Sequence, residues 1–250
     1  MAAPDPTRKR LRNFLMLMAL VALSLACTAL LKYRMHHTGS WRYGFLTWNL
    51  LLAWTPLAAA VAADAVSQRR SGARALLLLP LGLLWLAFLP NAPYLCTDLI
   101  HLVPLRGMPF WYDQAMLVAY GVTGVLIGVA SMLLMHDVVE RVASRALAWL
   151  ATSSAAVLAA FGVYLGRFER LNSWELFSRP ALVLKESRVY IVEPLTHSHA
   201  LEWTLFFSAF LLITYICVFG VAEEGSRLLL AWGRRYSPAL VGASKHQPPE

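Results

Sequence analysis

Apolar residues along this chain collect in six long runs separated by shorter polar stretches: Asn13–Leu31, Gly44–Ala63, Ala75–Pro90, Ala115–Met135, Ala146–Leu165 and Trp203–Ala222. Each approaches the roughly 20 residues that a helix needs to cross a bilayer. Inside lipid a backbone must satisfy its own hydrogen bonds, so isolated runs of this length predict helices. The expected fold is an all-α polytopic transmembrane bundle of about six spans.

The polar stretches modify this picture at particular points. After the third run comes Leu89-Pro90-Asn91-Ala92-Pro93-Tyr94, in which neither proline has an N–H to donate. In a continuous helix the carbonyls of Leu86 and Leu89 would lose their partners, and Leu89 and Ala92 are pushed toward extended geometry. The third helix is therefore expected to end or break here. Its freed carbonyls suit water, a side chain or a cation, although a plain helix stop at the interface explains the same residues.

Residues 94–103 then fit one short interfacial amphipathic helix. At about 100° per residue, Tyr94, Thr97, Asp98 and His101 share one face, with Leu95, Leu99, Leu102 and Val103 opposite. Asp98 and His101 are i,i+3 neighbours, so the carboxylate can orient the imidazole for acid–base work; a simple pair on a wetted face fits equally. No third ligand stands at helical spacing, and no metal site is expected.

Two further polar groups fall on the same side. Trp111-Tyr112-Asp113 precedes the fourth run; the rings suit an interfacial belt, and Asp113 is either a ligand group or a carboxylate favourable to the helix dipole near Ala115. The fifth run leads into Gly166-Arg167-Phe168-Glu169-Arg170-Leu171-Asn172-Ser173-Trp174-Glu175. Arg167 and Arg170 complement a helix C-terminus or snorkel to head groups, and the same planar donors bind phosphate or carboxylate. An anionic lipid head group is the natural ligand on the second reading. Asn172 and Glu175 have the spacing of a capping box, which assigns Glu175 to a helix start. The stretch between Pro180 and Pro194 reads as an interfacial helix or a short extended pair, and His197 and His199 as a solvated loop pair.

Composition supports the membrane class, with 58% hydrophobic and 14% charged residues and a mean hydropathy of +0.55. A net charge of +8 raises the question of a nucleic-acid partner, but the basic residues lie in short groups flanking the apolar runs. They report orientation instead. With the N-terminus cytoplasmic, thirteen lysines and arginines fall inside and nine outside, most of the latter in one long loop. Both termini are therefore expected in the cytoplasm, with residues 91–113 and 166–202 outside. Residues 1–12 form a basic cytoplasmic N-terminus and residues 13–236 the transmembrane domain. Residues 237–250 form a tail too poor in apolar side chains to fold. The first run exceeds the apolar core of a signal peptide, so it reads as an uncleaved helix. Cys27, Cys96 and Cys217 have no metal or disulfide spacing. On the inner side, Gln68-Arg69-Arg70 and Arg227 to Arg235 read as basic flanks, and His136-Asp137 with Glu140-Arg141 as a solvated loop holding a local ion pair.

The segments Leu89 to Leu95, Thr97 to Leu102, Trp111-Tyr112-Asp113, Gly166-Arg167-Phe168 and Asn172-Ser173-Trp174-Glu175 together resemble a bacterial family of multi-pass membrane proteins of unknown function, domain of unknown function thirteen sixty-one. The resemblance runs roughly from the second span to the sixth. It implies a bacterial plasma-membrane protein and supplies no reaction, substrate or cofactor.

Three functional classes follow. The first binds an anionic lipid head group or small solute through Asn91, Tyr94, Asp98, His101, Asp113, Arg167 and Arg170. The second is an enzyme on an outer-leaflet substrate, with Asp98 and His101 as its acid–base pair; the third is an accessory subunit of a membrane complex. Membrane lipids and a membrane-protein partner are expected, and no cofactor is implied. Transport is disfavoured by the lack of an internal repeat and of acidic residues deep within the runs, catalysis by the lack of a nucleophile elbow, zinc motif or phosphate loop. Binding leads, with Asn91, Asp98, His101 and Arg167 expected to converge in one pocket.

Overall fold

The computed structural model of the chain describes residues 6–69, 74–104 and 107–236. The expected tail 237–250 and Arg106 lie outside the described residues, as do the first five residues of the basic N-terminus. Among the described residues all regular structure is helical: α1 (Pro6–Thr38), α2 (Phe45–Ser67), α3 (Arg74–Phe88), α4 (Asn91–Thr97), α5 (Phe110–Val142), α6 (Arg145–Phe168), α7 (Glu175–Ser178), α8 (Pro180–Val192) and α9 (Ser198–Tyr236). A 3₁₀ turn, Asp98–His101, continues α4.

Six of these stretches are long and apolar enough to cross a membrane, α3, α4 and the 3₁₀ turn counting as one span, and each contains or overlaps an apolar run of the sequence. The chain is a multi-pass membrane protein. Alternating directions bring the segments 39–44, 89–104 and 169–197 to one end of the bundle, hereafter the site face. Large apolar side chains such as Leu15, Leu51, Leu79, Leu150, Phe206 and Ile213 stand exposed around the outside, where lipid would meet them. The centre is α5, of whose span 72% is buried, against 17% for the first and third. At 33 residues it is about 50 Å long, longer than a hydrocarbon core, so its two ends project polar groups at both faces. His136 and Asp137 belong to this helix. The expected solvated loop is therefore corrected: α5 runs on to Val142, and His136 is buried between Thr152 and Tyr215. Arg141 pairs not with Glu140 but with Asp64 of α2, at 2.9 Å, and with Ser67.

Pro90 stops α3 as expected, but the chain does not become extended. Pro90 keeps right-handed helical angles (φ −58°, ψ −29°), and Ala92, expected to be extended, lies inside α4 and is fully buried. The hydrogen bonds are shared out differently across the joint. Ala92 N–H donates to the Leu89 carbonyl at 3.3 Å, which removes it as the helical partner of Phe88. The Asn91 side chain takes its place, donating Nδ2–H to the Phe88 carbonyl at 3.1 Å. A kink results, with its break repaired by a side chain in the way expected of proline within lipid.

The continuation, α4, sinks into the bundle because α5 and α6 present no side chain where it passes. A Cβ on Gly124 would strike the Ala92 carbonyl and approach Leu95 within 2.8 Å, and one on Gly162 would come within 2.5 Å of the Pro90 ring. Gly124 and Gly128 form the small-xxx-small spacing that lets helix backbones approach closely in membranes. Beyond α6, residues 180–192 form α8, with Pro180 at its first turn, which decides between the two readings left open by the sequence.

Candidate functional site

Thr97, Asp98, His101 and Tyr94 do share a face, and one side chain reaches all four. Arg167, in the last turn of α6, donates from Nε to Thr97 Oγ1 at 2.9 Å and from Nη2 to Thr97 Oγ1 at 2.5 Å. The same Nη2 bonds Asp98 Oδ1 at 2.6 Å, while Nη1 lies 3.3 Å from His101 Nε2. The guanidinium carbon stands 4.2 Å above the Tyr94 ring. Arginine is donor only, so the His101 contact uses Nε2 as acceptor. The turn from α4 into the 3₁₀ segment makes this possible, since tighter winding brings Asp98 and His101 toward the α6 terminus.

Asp98 is almost fully buried, and its second oxygen accepts from Asn49 Nδ2 of α2 at 2.9 Å. Both carboxylate oxygens are thus occupied, one by a cation and one by an amide. The expected orientation of His101 by Asp98 is not what the geometry shows, because Arg167 stands against both groups. His101 itself is exposed, edge-on to Phe45 at 5.0 Å.

A second ion pair lies nearby and deeper. Arg34, from the last turns of α1, grips Asp113 of α5 with two bonds, Nε to Oδ1 at 2.6 Å and Nη2 to Oδ2 at 3.0 Å. The side chains are 1% and 2% exposed, and Arg34 Nη1 is buried without a hydrogen-bond partner among the described residues. Tyr43 joins the two centres: Arg34 stacks 4.5 Å from its ring, and its hydroxyl donates to the His101 carbonyl at 3.2 Å. Burial, followed by the Asp113 carboxylate, pushes the Tyr43 hydroxyl above its ordinary pKa, which keeps its donated proton in place.

Beside the charged network an open cleft of about 120 Å³ lies between α2, the α3–α4 kink, the end of α6 and the loop that follows it. Asn49, Asn91, Tyr94, Asn172, Ser173 and Trp174 line it, with Trp48 and the small Gly162 and Gly166. No charged side chain lines it. Asn91 closes one side by donating to Ser173 Oγ at 2.9 Å. The loop is held by Glu175, whose Oε2 accepts the Asn172 N–H at 2.7 Å; Glu175 does start the next helix, but the N-cap of that helix is Trp174 and not Asn172. Arg170, at φ 57°, turns the chain out of α6, and Leu171 N–H returns to the Leu165 carbonyl at 3.2 Å. Below this loop Glu169 accepts from Tyr190 of α8 at 2.6 Å, a bond that, with burial, raises the Tyr190 pKa. His197, half-buried in the turn before α9, packs on Tyr190, and His199, in the first turn of α9, packs on Phe168 while remaining exposed.

The candidate residues thus divide. Tyr94, Asp98, His101 and Arg167 meet directly; Asn91 stands in the cleft next to them, linked through Tyr94, which belongs to both. Asp113 belongs to the separate Arg34 pair, and Arg170 is an exposed turn residue. Sequence reasoning missed Arg34, Tyr43 and Asn49. For Asn49 a signal existed, the single amide within the apolar run Gly44–Ala63, since polar groups within spans are functional candidates by default. Arg34 resembles an ordinary flanking charge, and nothing local marks it. Among the described residues no group of three or more His, Cys, Asp or Glu side chains is arranged to hold a metal ion.

A family model described as "Protein of unknown function (DUF1361)" matches residues 48–214, more than half of the chain. That span includes Asn49, Asp98, Arg167 and the whole cleft, and leaves out Arg34 and Tyr43. No curated protein and no solved structure matches the chain.

Proposed function

The chain belongs to this family of proteins of unknown function; from that premise, and from the site alone, we propose that it binds a polar head group or small solute in the cleft at its site face. The observation that carries this is the division of labour between the two clusters. The two buried carboxylates of the site face are each neutralised by an arginine, Asp98 by Arg167 and Asp113 by Arg34, while neutral amides and aromatic rings line the cleft. Charges spent on one another build a rigid wall; uncharged groups left over are what a ligand meets.

This arrangement supports binding over acid–base chemistry. Asp98 is held by Arg167 on one oxygen and by Asn49 on the other, and His101 offers Nε2 to a guanidinium. It also moves the anionic head group down the order of candidates, because the fork of Arg167 is already filled by Thr97 and Asp98. The lysine and arginine distribution supports a plasma-membrane protein with cytoplasmic termini, the cleft then opening on the outer side.

Native mass spectrometry of protein released from nanodiscs tests the reading. Wild type is expected to carry a discrete adduct. Ser173→Phe, which fills the cleft from a loop outside the spans, is expected to lose it. Equal retention by the two proteins would place the adduct elsewhere and refute the cleft as the site.

A further inference from the structure

We infer that the ligand of this cleft is an uncharged, hydroxyl-rich ring, a glycosyl unit, either free or as the head group of a lipid. The inference rests on the binding reading above and narrows it by asking which hydrogen bonds the cleft still has to give. Asn91 spends both hydrogens of its amide on the Phe88 carbonyl and Ser173 Oγ, and Asn49 spends one of its two on Asp98. A carbonyl and a carboxylate accept only, so these contacts fix which way each amide faces. Their carbonyl oxygens, Oδ1 of both residues, have no partner among the described residues. Ser173, accepting from Asn91, keeps its own O–H to donate.

The unspent groups are thus a mixed set: two amide oxygens as acceptors, and as donors the Ser173 and Tyr94 hydroxyls, the second Asn49 N–H and the indole N–H groups of Trp48 and Trp174. Phosphate and carboxylate bring acceptors alone and would leave both amide oxygens unpaired. An ammonium would satisfy the acceptors, but no carboxylate lines the cleft to balance it, and the Arg167 guanidinium already stands over Tyr94. Sugar hydroxyls donate and accept, and match the set without charge. The rings supply the other half of the argument. Trp48 is 54% exposed and Trp174 42%, and both line the cleft together with Tyr94. The apolar C–H faces of a pyranose ring pack on aromatic rings while its equatorial hydroxyls reach amides. Two half-exposed indoles beside three asparagines, Asn49, Asn91 and Asn172, therefore constitute a sugar-type lining.

The test uses the full chain purified in a glycoside-free detergent. It is placed in phosphatidylcholine nanodiscs containing monoglucosyl diacylglycerol or phosphatidylglycerol, and separately titrated with methyl β-glucoside by calorimetry. Wild type is expected to retain the glucosyl lipid, with about tenfold weaker retention in Trp174→Leu and in Asn91→Leu. Trp174 lies in an exposed loop, so its variant carries the test if Asn91→Leu fails to fold. Competition by methyl β-glucoside would assign recognition to the ring alone; glucosyl lipid retention without such competition would assign it to a lipid-linked sugar. Both outcomes support the inference. Retention of phosphatidylglycerol in its place would overturn the glycosyl assignment and leave the binding reading standing. Retention unchanged in Trp174→Leu would overturn the assignment to this cleft, and binding of none of the probes would overturn the glycosyl assignment. Equal retention of the native adduct by wild type and Ser173→Phe is the separate result on which the binding reading falls.

Discussion

The Arg34–Asp113 pair permits a quantitative test of how a buried charge pair contributes to this bundle. Both side chains are essentially out of contact with solvent, and two parallel bonds of 2.6 and 3.0 Å join them. Arg34→Met keeps the length of the side chain and leaves the Asp113 carboxylate buried without a counter-charge. Stranding one member of such a pair costs about 3–5 kcal/mol. For a chain of this size that corresponds to a fall in melting temperature on the order of 10 °C. The double variant Arg34→Met, Asp113→Leu removes both desolvation penalties together with the bond. Arg34 Nη1 is itself buried and unpaired, which adds to the penalty relieved. The double variant is therefore expected within about 1 kcal/mol of wild type, or above it. Thermal unfolding in detergent, followed by intrinsic tryptophan fluorescence, measures all four corners of the cycle. A double variant as unstable as Arg34→Met would refute the reasoning, because the loss would then come from packing of the arginine stem and not from an uncompensated charge.

Three other perturbations test separate links. Gly124→Ala places a Cβ against the Ala92 carbonyl and Leu95, so α4 cannot seat; a loss of about 1–3 kcal/mol in the same melts is expected, and an unchanged melt would mean that α4 does not depend on this contact. Arg167→Lys keeps the charge but cannot reach Thr97, Asp98 and His101 together, with an expected cost of about 1.5–3 kcal/mol for each charge-assisted bond lost; destabilisation below 0.5 kcal/mol (roughly, within the noise of surface substitutions) would show that the network does not hold the site face together. In a background lacking Cys27, Cys96 and Cys217, a cysteine at the exposed Lys185 of α8 is expected to react with an impermeant maleimide in intact cells. Labelling only after the cytoplasmic side is opened would reverse the proposed orientation.

The six spans were legible in the sequence because their signal is one-dimensional: a helix must be as long as lipid is thick, and no partner is needed to count residues. The shared face of Tyr94, Thr97, Asp98 and His101 and the start of a helix at Glu175 were legible for a related reason, since helical winding fixes which near neighbours stand side by side. What these side chains would meet was not. Arg167 lies 69 residues from Asp98, and Arg34 lies 79 from Asp113. A helix surrounded by apolar residues carries no amphipathic stripe to tell its lipid side from its protein side, so periodicity cannot say which spans are neighbours. Only packing decided that α4 would sink onto the glycines of α5, drawing Asp98 away from water and toward Asn49. The same packing buried His136, which has polar neighbours in sequence but lies within a helix that extends farther than its apolar run. The sequence by itself determined the length, number and polar faces of the helices. Tertiary structure decided which charges neutralise one another, and therefore which polar groups remain for a ligand.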